Sequence, residues 1–585
     1  MKTFRTIWSI LNFHQRKNSI KLLFLIIVSM LVETIGIGMI IPIVAVIMEV
    51  DIYEKYKFLR PLLDLLGNPN SKQLIFYGIT LLILVFLVKN IYLTFFTWWQ
   101  NKFSTDIMVQ ISKKLFSTYL SLPFTFHLQT NSAKLIRNLA GEVLSFQNLL
   151  QTLIIIVSEI FILIGIVIFL LAFEFQGTIA VVIFFLIAVL IFNYFYKDKA
   201  KRWSKDRLFY GELATKHMIQ GLSAIKEMKV LGRENEFIKN YINNFTQQAL
   251  ILRWHITMMG MPRLWIEVLG VLVLSFLVYF MVFQNRNVNE IISLLALYAV
   301  ASFRLMPSIT RIINSAQNIM YFVSSAPVLA SELDELKKIN YIKQSKRNMF
   351  LFNPKQYFDV SIKGLNFSYP TKNHLILSDI SFNIKKGECL GITGESGSGK
   401  TTLMDILLGL LEPNTGSVEI NGKNFLENIK SWQSKIGYVP QTIYLTDDSI
   451  KNNIALGLSE NNIDLKKINN AIELSQLSSF INELDDGIES IVGEKGIKLS
   501  GGQRQRIAIA RALYHTPEII MMDEATSALD NEIENELMKS IFALKKDKTI
   551  IIIAHRYSTI QNCDRIIQMK KGKIIKIGKP EEILN

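Results

Sequence analysis

The sequence predicts a multidomain protein in which a six-helix α-helical transmembrane domain precedes a soluble α/β domain of the P-loop type. Three observations lead to this fold class. The chain has 585 residues, more than one ordinary domain needs. Half of the residues are hydrophobic and the mean hydropathy is +0.29, which is unusual for a soluble protein. The apolar stretches fill the first half, whereas the second half alternates short β-rich runs with helical ones.

Composition excludes several classes of protein. Charged residues make up 19% of the chain and aromatic residues 11%, so the chain is not intrinsically disordered. The net charge of +15 is expected for a membrane protein with basic cytoplasmic loops, and we predict no nucleic-acid partner. Cys389 and Cys563 are too few for a disulfide framework and lie far from any histidine cluster, so structural zinc is not predicted.

Six apolar stretches are long enough to cross a membrane, since an α-helix needs about 20 residues to span about 30 Å of hydrocarbon. They cover residues 22–48, 74–99, 150–172, 177–196, 262–284 and 288–310. The first lacks the cleavage site of a secretory signal and is therefore expected to be a retained helix.

The distribution of basic residues predicts the orientation in the membrane. The connection from 100 to 149 holds five Lys and Arg residues and that from 197 to 261 holds twelve, against none from 173 to 176 and one from 285 to 287. Long basic connections face the cytoplasm. We therefore expect a multi-pass protein of the inner (cytoplasmic) membrane with both termini and the soluble domain inside.

The two long cytoplasmic connections carry helical apolar spacing, so the membrane helices are expected to extend into the cytosol. Reversals are predicted at residues 122–124 and around Gly211. On the outer side, residues 52–66 show an apolar helical stripe that fits either an amphipathic helix lying on the membrane or a polar cap with a few buried leucines. The predicted domains are residues 1–330, a linker at 331–357, and the soluble domain at 358–585.

The clearest motif lies at residues 394–401, which read GESGSGKT between an apolar strand and a helical run. This is the context that a P-loop requires, because the glycines allow backbone N–H groups and the helix N-terminus to face phosphate. Lys400 is expected to supply a cation to the β- and γ-phosphates of ATP, and the Thr401 hydroxyl to bind Mg²⁺. The plainer alternative is a glycine-rich turn that caps a helix. The predicted nucleotide-binding residues of this loop are Gly394, Glu395, Ser396, Gly397, Ser398, Gly399, Lys400, Thr401 and Thr402.

A second motif is the apolar run IIMMDE at residues 519–524, a predicted strand that ends in two carboxylates. Asp523 is expected to hold Mg²⁺ and Glu524 to polarise the attacking water. If no P-loop preceded it, this run would be equally consistent with an ordinary strand whose acidic end is exposed to solvent.

The third motif, LSGGQ at residues 499–503, has a hydroxyl at Ser500 and glycines at 501 and 502 that permit close backbone approach to phosphate. It resembles the signature sequence of ABC ATPases. This resemblance covers about residues 358–585 and implies further roles: Tyr369 stacks on adenine, Gln441 senses the γ-phosphate and contributes to the Mg²⁺ site, and His555 acts as the switch histidine. SALD at 527–530 completes the set. By the same resemblance, Ser500, Gly501, Gly502 and Gln503 bind the ATP that sits on another copy's P-loop.

Six helices followed by one such domain resemble an exporter half-transporter of the type IV fold. VGEKG at 492–496 resembles the motif that couples the ATPase to the membrane helices, and residues 122–129 and 209–217 would be the coupling helices. One P-loop and one signature imply two chains in a working unit. A homodimer is a simpler arrangement than an asymmetric pair, since Glu524 and the signature are both intact, and a heteromer is the alternative.

Ionisable residues within the apolar spans point to a substrate site, because such residues are costly in a membrane and face a cavity or a partner. Lys89, Arg263, Arg304 and Arg311 are the candidate contacts for an anionic headgroup. The alternative is snorkelling or ion pairing with Glu33, Glu159 and Glu267.

The runs at residues 32–44, 262–270 and 302–315 resemble the bacterial flippase of lipid-linked oligosaccharides in protein N-glycosylation. That resemblance implies ATP-driven flipping of such a lipid or a related anionic glycolipid. Where that family has an arginine, this chain has Lys89. Two other classes stay open: an ABC exporter of drugs, other lipids or peptides, and an ATP-gated channel or sensor. The complete hydrolytic set argues against the last, because a gate that only senses ATP does not need Glu524.

Overall fold

The computed structural model describes residues 2–39, 71–173, 175–283, 288–345, 359–370, 374–526, 531–545, 547–554 and 556–583. Contacts divide the chain into two compact units, one of residues 1–122 with 129–339 and one of residues 123–128 with 340–585. The predicted outer stripe at residues 52–66 lies outside the described residues.

The first unit is helical. The helices from the N-terminus to residue 345 are α1 Lys2–Ile10, α2 Phe13–Gly38, α3 Ser71–Ser121, α4 Phe124–Gln129, α5 Ser132–Ile136, α6 Val143–Phe173, α7 Phe175–Ser223, α8 Ile225–Leu231, α9 Glu234–Phe283, α10 Val288–Phe322 and α11 Ser325–Ser345. By contacts, residues 124–128 of α4 and 340–345 of α11 belong to the second unit. Within the described ranges, five helices are long and apolar enough to cross a membrane, namely α2, α3, α5 with α6, α7 and α9. The sixth predicted span lies on α10.

Three of these helices are much longer than a bilayer requires. Helix α3 has 51 residues, α7 has 49 and α9 has 50. At about 1.5 Å per residue each is roughly 75 Å long, against about 30 Å of hydrocarbon. The helices therefore extend beyond the membrane, as the apolar spacing of the connections predicts. Helices α6, α9 and α10 share a buried apolar core that includes Ile166, Ile266 and Ile309.

The reversal predicted around Gly211, and with it the coupling helix at residues 209–217, is wrong. Helix α7 continues through Gly211 to Ser223, and a glycine inside a helix costs only about 1 kcal/mol, which packing easily offsets. The chain reverses later, around the short helix α8, which ends at Gly232 with φ +58°. A left-handed backbone of this kind favours glycine, so Gly232 was the better signal. The other predicted reversal is present, since α3 ends at Ser121 and α4 starts after Pro123.

The first part of the linker predicted at residues 331–357 is helical. Helix α11 continues through residue 345, and the contact boundary between the two units falls within it, after residue 339. The second unit contains two sheets. The smaller is antiparallel in the order β2-β1-β4-β5, from β1 Val360–Phe367, β2 Leu377–Ile384, β4 Thr415–Ile420 and β5 Lys423–Asn424. The larger has the order β10-β9-β3-β8-β7-β6, from β3 Cys389–Gly394, β6 Ile436–Val439, β7 Ile519–Asp523, β8 Thr549–Ile553, β9 Arg565–Lys570 and β10 Lys573–Gly578.

The helices of this unit complete the α/β architecture. They are α12 Lys400–Leu407, α13 Ile429–Gln433, α14 Ile450–Ile454, α15 Leu465–Leu474, α16 Ser478–Asn482, α17 Gly501–Tyr514, α18 Asn531–Ala543, α19 Tyr557–Ile560 and α20 Pro580–Ile583. All five residues of β7 and all five of β8 are buried, as expected for parallel strands covered on both faces. Apolar residues of α12 and α17 belong to two different core clusters.

The register of the large sheet positions the site. Strand β8 lies between β3 and β7, and all three run parallel. Ile553 of β8 is opposite Ile392 of β3 on one side and Asp523 of β7 on the other. Because parallel strands end at the same edge, the loop after β3 and the two acids at the end of β7, Asp523 and Glu524, lie close together.

Candidate nucleotide-binding site

The P-loop, residues 394–401, connects β3 to the first turn of α12. The buried Lys400 donates through Nζ to the carbonyl oxygens of Gly394, at 2.9 Å, and Glu395, at 3.1 Å. Gly399 has φ +98°, and a Cβ there would lie 2.7 Å from Leu377 Cδ2. Only glycine fits that position without strain. The loop curls around its own lysine at a helix N-terminus, which is an arrangement suited to phosphate.

Two opposing effects act on the pKa of Lys400. Burial lowers the pKa of Lys400, and the nearby carboxylates of Glu524 and Asp523 oppose that change. The P-loop cation and the two acids predicted from β7 are therefore electrostatic neighbours. The structure brings these three predicted residues together.

Glu524 has an unusual backbone. Its φ is +49°, and its N–H donates to the carbonyl of Ile553 at 2.9 Å. A non-glycine residue in this region stores on the order of 1–3 kcal/mol of strain and is found at functional sites. Gln441 Nε2 donates to Glu524 Oε2 at 2.8 Å. The predicted sensor glutamine thus holds the predicted catalytic carboxylate.

The residues predicted for Mg²⁺ have suitable chemistry. Asp523 offers carboxylate oxygens at the end of β7 and is 1% exposed, and the exposed Thr401 offers a hydroxyl. The Nε2 group of Gln441 already binds Glu524, so its amide oxygen is the atom that remains for a cation. Oxygen ligands are those that Mg²⁺ prefers, and this donor set fits it.

The predicted adenine contact lies beside the P-loop helix. The hydroxyl of Tyr369 is 3.3 Å from Thr402 Oγ1 on α12. Its ring packs edge-on against Phe367, with 5.1 Å between centroids. This arrangement places a partly exposed aromatic ring next to the phosphate loop, where an adenine stacking partner is expected.

The signature residues form the start of α17. Ser500 is the N-cap: its Oγ accepts from Gln503 N at 3.2 Å, and Gln503 Oε1 accepts from Ser500 N at 2.8 Å. Gly501 and Gly502 occupy the first turn. Arg504 donates to the carbonyls of Gly496, at 3.3 Å, and Leu499, at 3.0 Å. The signature helix is therefore tied directly to the VGEKG segment.

One cluster was not predicted. Buried Glu534 of α18 accepts from Thr526 and Thr559 through Oε1, at 2.9 and 2.7 Å, and forms a 2.7 Å ion pair with Arg556 through Oε2. These residues flank two predicted motifs, SALD at 527–530 and His555, which lie outside the described residues. In the sequence Glu534 looks like an ordinary acid of a first helical turn, so no local signal reveals it.

The structure describes the side chains of three of the four cations predicted for substrate, namely Lys89, Arg263 and Arg311. Lys89 Nζ lies 2.8 Å from Glu33 Oε2, and both residues are buried. Arg311 Nε lies 2.5 Å from Glu159 Oε1, while 42% of the Arg311 side chain stays exposed. Arg263 is exposed on α9, and Arg304 lies on α10. Lys89 and Arg311 therefore each have a carboxylate partner, which is the alternative that the sequence left open.

The site also yields a pH-dependent prediction. Burial, with the help of the Asp523 carboxylate, raises the pKa of Asp405 to about 6. An acid whose pKa is raised by folding destabilises the folded chain once it ionises, so stability should fall as the pH rises from about 4 to 6. Asp405→Asn should therefore stabilise the chain at pH 7.5, on the order of 2 kcal/mol, and have little effect at pH 4. Thermal unfolding of both proteins across this range measures it.

Asp485→Asn is a matched control, because Asp485 is an exposed acid of the same unit. It should change the unfolding temperature little at either pH. Equal unfolding temperatures of Asp405→Asn and the parent chain at pH 7.5 would contradict the burial argument.

Both halves of the chain match known protein families. Residues 20–305 match the family described as ABC transporter transmembrane region, and residues 377–527 match the family described as ABC transporter. The alpha-hemolysin translocation ATP-binding protein of Proteus vulgaris is 45% identical over 228 residues, which are 39% of this chain and 32% of that protein. The toxin RTX-I translocation ATP-binding protein of Actinobacillus pleuropneumoniae is 44% identical over 227 residues, with the same coverage. The chain thus spans about a third of the length of these relatives.

A different relative matches along most of its length. The ATP-dependent lipid A-core flippase of Photorhabdus laumondii is 28% identical over 482 residues, 81% of each chain. Among solved structures, a bacterial Atm1-family ABC exporter with ATP bound superposes with a TM-score of 0.74 at 21% identity and covers 96% of both chains. This likeness confirms the predicted fold class, and the family match confirms an ATPase domain of the ABC type.

Proposed function

Because the chain belongs to the ABC transporters, with the exporter-type order of one transmembrane region and one ATP-binding domain, we propose that it is an ATP-driven flippase. Its substrate in this proposal is a lipid-linked oligosaccharide or a related anionic glycolipid, moved from the inner to the outer leaflet of the cytoplasmic membrane. The observation that carries the proposal is the extent of similarity to the lipid A-core flippase, which includes 81% of both chains.

The similarity to the toxin translocators is weaker evidence about the substrate of this chain than the similarity to the lipid flippase. Their similarity covers 39% of this chain, a length comparable to one ATP-binding domain. Substrate choice in a transporter depends on the membrane helices, and a relative whose similarity is long enough to extend into that region is a lipid flippase. A lipid substrate is therefore favoured over a secreted protein.

The residues of the site support ATP hydrolysis. Lys400 and the backbone N–H groups of the P-loop bind the phosphates, and Tyr369 stacks on adenine. Glu524, held by Gln441, accepts the proton of the attacking water. Thr401, Asp523 and Gln441 would hold Mg²⁺, which would neutralise charge on the phosphates. His555 completes the set as the γ-phosphate contact.

The signature supports a homodimer. Ser500 and Gln503 cap α17, and its N-terminal end, with Gly501 and Gly502, is partly exposed. A helix N-terminus of this kind attracts anions. We propose that it closes on the nucleotide held by the P-loop of a second copy, so that two copies share two sites.

For the headgroup, the structure favours the arginines over Lys89. Lys89 is buried with Glu33, whereas Arg263 is exposed and 42% of the Arg311 side chain is exposed despite its ion pair with Glu159. A guanidinium binds two phosphate oxygens at once. We propose that Arg263, Arg304 and Arg311 contact the anionic headgroup and that Lys89 has a structural role.

Reconstitution in liposomes tests the function. The purified chain should translocate a lipid-linked oligosaccharide in an ATP-dependent manner, faster than a phospholipid or a drug substrate, as measured by loss of headgroup accessibility on the donor side. Glu524→Gln is the matched control, because it retains the membrane helices and removes the catalytic carboxylate. Equal transport of a drug or a peptide would replace this proposal by the general exporter class, and ATP-dependent ion flux without translocation would favour the channel.

A further inference from the structure

A lateral groove in the first unit belongs to none of the sites above. It is a cavity of about 480 Å³ between α7, α9 and α10. Helices α7 and α9 are both apolar and long enough to cross a membrane. On the groove, Ile191, Phe195 and Trp265 are each at least half exposed. Ile191 and Phe195 lie in the predicted span 177–196 and Trp265 lies in the predicted span 262–284, so this apolar surface is expected to face hydrocarbon.

The groove is elongated along the helices. On α7, Ile191, Phe195 and Lys199 follow one another at intervals of four residues, and on α9 the residues Met261, Trp265 and Leu269 do the same. Side chains at this spacing form one stripe, and eight residues of helix rise about 12 Å. Two such apolar stripes form a trough that suits a linear chain better than a compact molecule.

Polar groups are concentrated near one end of the trough. Lys199 is exposed there, between the exposed Lys197 and Lys201 at the start of the basic connection from 197 to 261. The positive-inside bias places this end at the cytoplasmic surface. Tyr196 also lines the groove, but its hydroxyl is engaged with His255 Nδ1 at 2.7 Å. Its ring therefore serves as apolar wall.

Gln317 of α10 also lines the groove and is 4% exposed. Among the residues that the structure describes, none provides a hydrogen-bond partner for its Oε1. Buried polar atoms without a partner are rare, and a ligand is one way to satisfy them. The groove therefore combines an apolar trough, a cation at the membrane surface and an acceptor that lacks a donor.

We propose that the lateral groove is a binding site for an anionic phospholipid of the inner leaflet whose headgroup carries a hydroxyl, such as phosphatidylglycerol. The acyl chain lies along Phe195 and Trp265, Lys199 binds the phosphate, and a headgroup hydroxyl donates to Gln317 Oε1. A bound lipid of this kind differs from the transported substrate, and its binding requires neither ATP nor flipping.

Quenching of Trp265 tests the proposal on the full chain in detergent. Phosphatidylglycerol with a brominated acyl chain should quench tryptophan fluorescence saturably, and Trp265→Phe should remove that component. Brominated phosphatidylcholine keeps the phosphate but has no net negative charge and no headgroup hydroxyl. It should bind about tenfold more weakly, because it cannot donate a hydrogen bond to the buried Gln317 Oε1. Lys199→Gln should weaken phosphatidylglycerol binding by a similar factor.

Two further variants make the outcome decisive. Lys201→Gln removes an equally exposed charge of the same helix that does not line the groove, and should leave binding unchanged. Gln317→Leu should weaken phosphatidylglycerol binding without lowering the unfolding temperature. Equal binding of the two lipids, equal effects of the Lys199 and Lys201 variants, or a Trp265 that no lipid quenches because a second copy covers it would each overturn the proposal.

Discussion

Glu524→Gln is expected to reduce ATP turnover of the purified chain by at least about a hundredfold, because a positioned general base contributes about 10²- to 10⁴-fold to a rate. Glutamine retains the size of the side chain and an oxygen that can accept the hydrogen bond from Gln441. Only the basicity is lost. Nucleotide affinity should therefore stay within a few-fold of the parent chain, as measured by equilibrium binding beside steady-state hydrolysis.

Lys400→Ala is the matched comparison, since it changes a residue of the same site that binds phosphate and takes no part in the proton transfer. Lys400 lies within the P-loop and contacts its carbonyls, so its loss removes a phosphate cation and should weaken nucleotide affinity itself. The two variants should thus fail in different ways. Turnover near the parent level in Glu524→Gln would remove Glu524 from the catalytic role, and identical binding defects would refute the division between binding and chemistry.

Lys89→Met is expected to destabilise the transmembrane unit by about 3 kcal/mol or more. Lys89 pairs with Glu33 at 2.8 Å, and Glu33 is only 2% exposed. Removing one partner of a buried ion pair leaves the other charge unpaired, which costs about 3–5 kcal/mol. The double variant Lys89→Met/Glu33→Leu should recover most of this loss, because replacing both partners by apolar side chains is often neutral or stabilising. Thermal unfolding in detergent measures each step.

Lys114→Met serves as the control, since Lys114 is an exposed lysine of the same helix α3. It should leave the unfolding temperature unchanged. The structural role would be wrong if Lys89→Met were as stable as the parent chain and lost only translocation, because Lys89 would then act on the substrate. A double variant no more stable than Lys89→Met would show that the charge itself, and not its pairing, matters.

Local sequence patterns were sufficient to predict the P-loop and the membrane spans of this protein. The P-loop was predictable because a strand, a glycine-rich turn and a helix start occupy consecutive residues, and the backbone demands of that turn exclude most other sequences. The membrane spans were predictable because about 20 apolar residues suffice to cross hydrocarbon. The start of α17 was predictable from local residues as well, since Ser500 and Gln503 cap their own helix, whereas the role of the signature was implied by the resemblance to ABC ATPases. The reversal predicted at Gly211 was wrong because a single glycine rarely ends a helix that is long and packed on both sides of it.

Tertiary structure alone decided which distant residues meet. Gln441 and Glu524 are 83 residues apart and touch through the register of β6, β7 and β8. Lys89 faces Glu33 rather than a cavity because α2 and α3 pack with those side chains opposed. The cluster around Glu534 and the lateral groove arise in the same way. A periodic pattern specifies which side of a helix or strand is apolar, but the rotation and offset between elements depend on packing along their whole length, which no local pattern encodes.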